Sequence, residues 1–155
     1  MRTNDRFQHH LGSLLVALQF SLIALLAWQA WPVASSGEAP LAAWVCAVLG
    51  VLVGVWAVTV NRLGNFNIRP TPRAGGTLVR RGPYRWIRHP MYTAVMACGV
   101  ACAWTSASGW AWLATLALVL VLSIKASYEE RWMCQVHPGY AEYRRHTWRF
   151  VPWLF

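Results

Sequence analysis

Charged residues are absent from three long stretches of this chain and crowded into the segments between them. Residues 11–31 (LGSLLVALQFSLIALLAWQAW) and 41–60 (LAAWVCAVLGVLVGVWAVTV) carry none. Each has about the 20 residues needed to cross a hydrocarbon layer of roughly 30 Å as a helix, and both are predicted to be transmembrane spans. A third block, 91–124, runs 34 residues without a charge. SASG at 106–109 divides it into two arms, each short for a full crossing, so a helical hairpin is predicted whose arms gain length from their polar flanks. The fold class is therefore all-α, a polytopic membrane helical bundle of about four transmembrane helices. The length of the 11–31 run and the absence of an A-x-A cleavage site argue against a removed signal peptide.

Composition agrees with the pattern. The chain has 155 residues, 57% hydrophobic and only 12% charged, more apolar surface than a soluble domain needs. Its length suits one domain, 1–155, with no separate soluble catalytic module. The Lys and Arg residues fall at 2 and 6, within 62–88, and from 125 onward, and none lies in 32–40 or 105–109. Four spans with both termini cytoplasmic satisfy this distribution. Trp28, Trp31, Trp44, Trp104, Trp110 and Trp112 then fall near the outer ends of the spans, and Trp86, Trp132, Trp148 and Trp153 near the inner boundary, as aromatic belts.

The net charge of +9 thus belongs to one membrane face. Because 62–88 joins two membrane segments, anionic headgroups rather than nucleic acid are the nearer polyanion. A ratio of 13 Arg to one Lys, with much Ala, points to a GC-rich bacterial source and so to a bacterial inner membrane. Cys46, Cys98, Cys102 and Cys134 form no C-x-x-C pair and have no ligand-spaced His, so neither a disulfide framework nor a metal site is indicated. Gly50-x-x-x-Gly54 is a close-packing signal that serves either contacts within the bundle or dimerisation. Residues 64–76 read as an irregular loop.

The chemistry concentrates at one border, RRGPYRWIRHPMY at 80–92. Positive-inside topology accounts for some of its arginines but not for their spacing among Gly, Pro, Tyr and His. Pro83 suits a helix first turn and Pro90 forbids a smooth helix through 86–90, so a short interfacial helix, a kink and then the third span are predicted. Backbone unwound at that depth must be buried in protein or line a polar cavity, which suggests a pocket beside Tyr84, Arg88, His89 and Tyr92. At the far end of the hairpin, Lys125 and Glu129 share a helix face by their four-residue spacing, with Glu130 adjacent. The fold-back brings Glu129 towards Arg88 and His89. Simple neutralisation of the arginines accounts for the acidic pair equally well. The segment 137–155 is predicted to be an amphipathic C-terminal helix, with Tyr140, Tyr143 and Phe150 on or near one face, followed by an apolar tail, and to act as a lid.

Taken in order, Gly82-Pro83-Tyr84, Arg88-His89-Pro90-Met91-Tyr92, Glu129-Glu130, Tyr140, Tyr143 and Pro152 resemble the isoprenylcysteine carboxyl methyltransferase family and the related phospholipid methyltransferases. The resemblance covers about residues 60–155. It implies an integral-membrane enzyme that uses S-adenosyl-L-methionine on a lipophilic or lipid substrate. By that resemblance, cofactor contacts fall on Gly76, Thr77, Leu78, Val79, Tyr84, His89, Pro90, Met91, Tyr92, Glu129 and Glu130. The catalytic set becomes Arg88, Lys125 and Glu129, with Lys125 as the basic residue near the acceptor. The chain departs from the family pattern at Ala94, often Gly, at Lys125, often Arg, and at His137-Pro138-Gly139.

The residue types suit that cofactor. Its carboxylate needs a cation, its hydroxyls and ammonium need acceptors, and its adenine needs an aromatic or apolar slot. Arg88 or His89, Glu129, and Tyr84 or Tyr92 supply these. The expected reaction is carboxyl O-methylation of an isoprenylcysteine-like or other lipophilic acid, with phospholipid N-methylation as the alternative. Two other classes are a nicotinamide-dependent membrane reductase, whose relatives are longer, and a non-catalytic scaffold with a polybasic lipid-binding face.

Overall fold

A computed structural model describes residues 2–61 and 77–153, and they form an all-α membrane bundle. Helix α1 spans Arg2–Ser35, α2 Leu41–Asn61, α3 Pro90–Ser106, α4 Gly109–Val136 and α5 Tyr140–Arg145, with a one-turn 3-10 helix at Gly82–Arg85 before α3. His10–Ser35, Leu41–Asn61 and Gly109–Val136 are each long and apolar enough to cross a membrane. Their outer faces carry exposed Leu, Val and Trp, including Leu49, Leu52, Val55, Leu113 and Leu116. Such an inverted surface suits contact with lipid rather than water.

Helix α3 is the short member, 17 residues or about 25 Å at the α-helical rise, against a hydrocarbon layer of roughly 30 Å. It packs against α1, α2 and α4, most extensively against α2. Its small residues make that possible. A Cβ on Gly50 would lie 3.1 Å from the Ala94 carbonyl, the Ala97 Cβ and the Cys98 Sγ. The G-x-x-x-G pair of α2 therefore serves packing inside the bundle, where the absence of a side chain lets two backbones approach. Cys46 donates its thiol to the Ala97 carbonyl at 3.3 Å across the same contact.

The core proper lies between α1, α3 and α4, around Leu26, Ala103, Ala111, Ala114, Leu118 and Leu122. The hairpin turns at Ala107, whose left-handed φ of 48° ends α3, and at Ser108 before α4. Counting from this turn positions the chemistry. The seventeenth residue of α4 is Lys125, so α4 has come level with the first turn of α3 there, and its remaining residues project past Pro90. Glu129 and Glu130 are thereby delivered beside the segment that precedes α3.

The C-terminal helix is present but ends at Arg145, short of the Phe150 that the expected helix carries. Helix α5 has six residues, after which the chain is irregular and then extended enough to form a parallel bridge between Trp148 and Ile87. Tyr140, Tyr143 and Phe150 are all buried, the last through this extended path rather than by helical periodicity.

Candidate active site

The site is built where two non-helical segments meet the end of α4. Gly82 opens the 3-10 turn with φ of +59°, and a Cβ there would come within 2.7 Å of Val60 Cγ2. Only glycine satisfies both the left-handed backbone and the close approach to the end of α2. Pro83 follows as the second residue of the turn, where its fixed φ is compatible and no intrahelical N–H bond is needed.

From Trp86 to His89 the chain is unwound, and its backbone groups are met by the C-terminal segment. Trp148 N–H donates to the Trp86 carbonyl at 2.9 Å, Arg88 N–H to the Trp148 carbonyl at 2.8 Å, and His89 N–H to the Arg149 carbonyl at 3.1 Å. Side chains reinforce the junction. Tyr143 donates its hydroxyl to the Tyr84 carbonyl at 2.6 Å, Thr93 to the Phe150 carbonyl at 2.7 Å, and Arg80 to the Gly139 carbonyl at 2.7 Å. The C-terminal residues thus form a strap fastened across the entry to α3.

The two glutamates have different surroundings. Glu130 is 2% exposed and is the centre of a charged cluster. Its Oε1 accepts from Arg88 Nε at 2.9 Å and from Arg149 Nε at 3.2 Å, and lies 3.2 Å from His89 Nε2. Its Oε2 accepts from Arg149 Nη2 at 3.1 Å, with Arg144 Nε at 3.7 Å on the rim. Arg88 also donates to the carbonyls of Arg144 and Thr147. Its guanidinium is accordingly directed at Glu130 and the strap.

Glu129 is less enclosed, with its side chain 22% exposed. It accepts from the Tyr92 hydroxyl and lies 3.4 Å from His89 Nδ1. The imidazole of His89 therefore sits between two carboxylates, one at each ring nitrogen. Burial pulls its pKa down, but the hydrogen bonds to Glu129 and Glu130 outweigh this and leave it above the ordinary histidine value. The two carboxylates thus favour the protonated imidazole more than water does a free histidine. The ring stacks on Tyr92 at 5.4 Å, nearly parallel. Tyr84 stands near enough to Glu129 that burial and the carboxylate charge together push its pKa up to about 12, so its phenol stays protonated.

Lys125 is 1% exposed, one turn deeper than Glu129 on the same face. It donates to Gln19 Oε1 on α1 at 2.6 Å, and its ammonium lies 5.2 Å from the centre of the Tyr92 ring. Of the residues expected at the site, Arg88, His89, Tyr92, Lys125, Glu129 and Glu130 are gathered into one continuous cluster, with Tyr84 at its edge. Pro90 and Met91 form the first turn of α3. Thr77, Leu78 and Val79 lie upstream on the non-helical approach to the 3-10 turn. Gly76 falls outside the described residues. Two members were missed by sequence reasoning, Arg149 and Gln19. The signals available were an arginine set between Trp148 and Phe150, and an amide inside a charge-free span.

These polar groups are gathered at one end of the hairpin of an all-α membrane bundle, and it is the family match that makes the protein a membrane methyltransferase. A family model described as phospholipid methyltransferase matches residues 40–138, from the start of α2 to just beyond α4. The cobalt-zinc-cadmium resistance protein CzcN of Cupriavidus metallidurans is 32% identical over 160 residues, covering 99% of this chain and 69% of that protein. The chain belongs to the phospholipid methyltransferase family.

Proposed function

We propose that the protein methylates the carboxylate of a lipophilic acid, isoprenylcysteine-like in character, using S-adenosyl-L-methionine at the cytoplasmic face of a bacterial inner membrane. Part of the donor set suits that cofactor, while Arg88, expected to meet its carboxylate, is directed at Glu130. Glu129 is a partly open carboxylate beside the protonated phenols of Tyr84 and Tyr92, acceptor and aromatic chemistry suited to an ammonium, ribose hydroxyls and a purine. When bound, the cofactor supplies an electrophilic methyl group on a sulfonium. In the transfer a carboxylate oxygen forms the new C–O bond as the S–CH3 bond breaks, so a negative and a positive charge vanish together.

The chain's own residues bind, orient and exclude water. Glu129 holds the cofactor's donors, and Lys125 meets the acceptor's negative charge one turn deeper, towards the lipid. Arg88 acts through Glu130 and the strap as a positioning residue. Strap and 3-10 turn together keep water from the reacting atoms.

The observation that favours a carboxylate over an amine is the state of the proton acceptors. Among the described residues at the site, Glu129 already accepts from Tyr92, Glu130 accepts from Arg88 and Arg149, and His89 has a carboxylate at each ring nitrogen. An amine arrives as an ammonium and must first lose a proton. A carboxylate needs no base. The second reading, N-methylation of a phospholipid amine, is favoured by the description of the family model itself.

The products distinguish the two. Membranes containing the protein are incubated with methyl-labelled S-adenosylmethionine, and the labelled lipid is treated with mild alkali. Release of label as methanol supports the ester, and label that survives in lipid replaces it with the N-methyl reading.

A further inference from the structure

The helix that carries no recognisable motif supplies a side chain to the site. Gln19 lies within the charge-free run 11–31, outside the region matched by the family model, and is 8% exposed. A buried amide in a membrane span is costly unless it is hydrogen-bonded. Its orientation is fixed by chemistry, because an ammonium has only donors and the carbonyl Oε1 must face it. The bond to Lys125 Nζ is short, 2.6 Å, and charge-assisted. It ties the lysine to α1, one turn along α4 from Glu129. The Tyr92 ring bounds the ammonium on a second side at 5.2 Å, and the hydroxyl of that tyrosine is spent on Glu129.

The result is a polar line, Gln19–Lys125–Tyr92–Glu129, in which the ammonium lies over the Tyr92 ring and the carboxylate meets its hydroxyl. The inner end holds a buried ammonium beside an amide, donor chemistry complementary to an anionic oxygen. We propose that Gln19 is a specificity-determining positioning residue. It holds the Lys125 ammonium where the anionic group of a lipophilic acceptor, carboxylate or phosphate, meets it. This rests on the reading of Lys125 as the acceptor-side cation. Gln19→Glu would convert the amide contact into an ion pair and cancel the attraction for an anion. Gln19→Leu would leave the lysine charged but unaimed.

The test uses the full chain in lipid nanodiscs and two probe pairs: N-acetyl-S-farnesylcysteine with its methyl ester, and a short-chain phosphatidic acid with the matching diacylglycerol. Wild type is expected to bind one charged member at least about tenfold more tightly than its neutral counterpart, the scale of one charge-assisted hydrogen bond. Whichever pair shows the preference identifies the carboxylate or the phosphate as the ligand chemistry. Gln19→Glu should bring the ratio close to one, and Gln19→Leu should weaken only the charged member. S-adenosylhomocysteine affinity, measured on the same samples, should stay within about twofold, because Glu129 and His89 keep their partners. No preference in wild type, a preference unchanged in both variants, or cofactor-product affinity falling in parallel would each overturn the proposal. Label transfer separates the two readings. If wild type methylates lipid while the preference ignores Gln19, the role of Gln19 alone fails. If the preference follows Gln19 but no label moves, the anion site stands and the methyltransferase reaction fails.

Discussion

Replacing Glu130 by glutamine tests whether the charged cluster is what fastens the C-terminal strap. The carboxylate is almost fully buried and is shared by Arg88 and Arg149, whose side chains are 10% and 19% exposed, and by His89. Glutamine keeps a carbonyl acceptor but removes the charge, leaving two largely enclosed guanidiniums and the imidazole facing a neutral group. Breaking a buried ion pair on one side costs about 3–5 kcal/mol. With one acceptor retained, about 2–3 kcal/mol is expected to fall on the strap. Arg144 and Arg145 lie in α5, so trypsin cuts there only when that turn unravels. If opening is fast relative to cleavage, the rate follows the open population, and about 2–3 kcal/mol becomes an acceleration of roughly 30- to 150-fold. Rates are normalised to cleavage of the unfolded chain. Glu142→Gln is the comparison, since its pairs with Arg145 at 3.7 Å and His146 at 3.3 Å are both solvent-exposed and are expected to change the rate by no more than about fivefold. Equal rates for Glu130→Gln and wild type would refute the clamp.

Three further outcomes are expected. The pKa of His89 is raised in the folded protein, so its contribution is fully present below the ordinary value near 6.5 and is lost as pH rises through the raised value. Normalised strap opening should therefore increase from neutral to mildly alkaline pH in wild type and be flatter in His89→Gln, as read by the same proteolysis. Gly82→Ala forces a Cβ against Val60 at a positive φ, at a cost of about 1–3 kcal/mol, and should lower the melting temperature measured by tryptophan fluorescence. Truncation before Pro138 removes the strap but none of α1–α4. It should leave the helical circular dichroism largely intact while abolishing methyl transfer, because the reacting atoms are opened to water.

The helical bundle was legible because lipid imposes a crude rule. Charge-free runs of about 20 residues must be spans, and 11–31 and 41–60 leave little other choice. The hairpin was legible from SASG and from the return of charge at Lys125. Its effect on register was not. Glu129 and Glu130 are adjacent, yet the 100° between them on a helix sends one into the arginine cluster and the other beside Tyr92, and no sequence pattern says which. The C-terminal segment shows the same limit differently. Tyr140 and Tyr143 have helical spacing and are buried on a helix. Phe150 is buried on extended chain because the hydrogen-bond partners of residues 148 and 149 lie about 60 residues upstream, at 86–89. Arg149 became part of the cluster through that pairing, and Gln19 through the packing of α1 on α4. Both depend on contacts between segments far apart in sequence.

On the proposed function this cluster is a cofactor site with Glu129 at its open end. Calorimetric titration of the protein in nanodiscs with S-adenosylhomocysteine, and in parallel with NADPH, tests it most directly. The account expects S-adenosylhomocysteine to bind, Glu129→Gln to weaken it by about tenfold or more through the loss of a charge-assisted hydrogen bond, and NADPH to give no heat of binding. Heat from NADPH alone, no binding of either compound, or S-adenosylhomocysteine affinity unchanged in Glu129→Gln would contradict it.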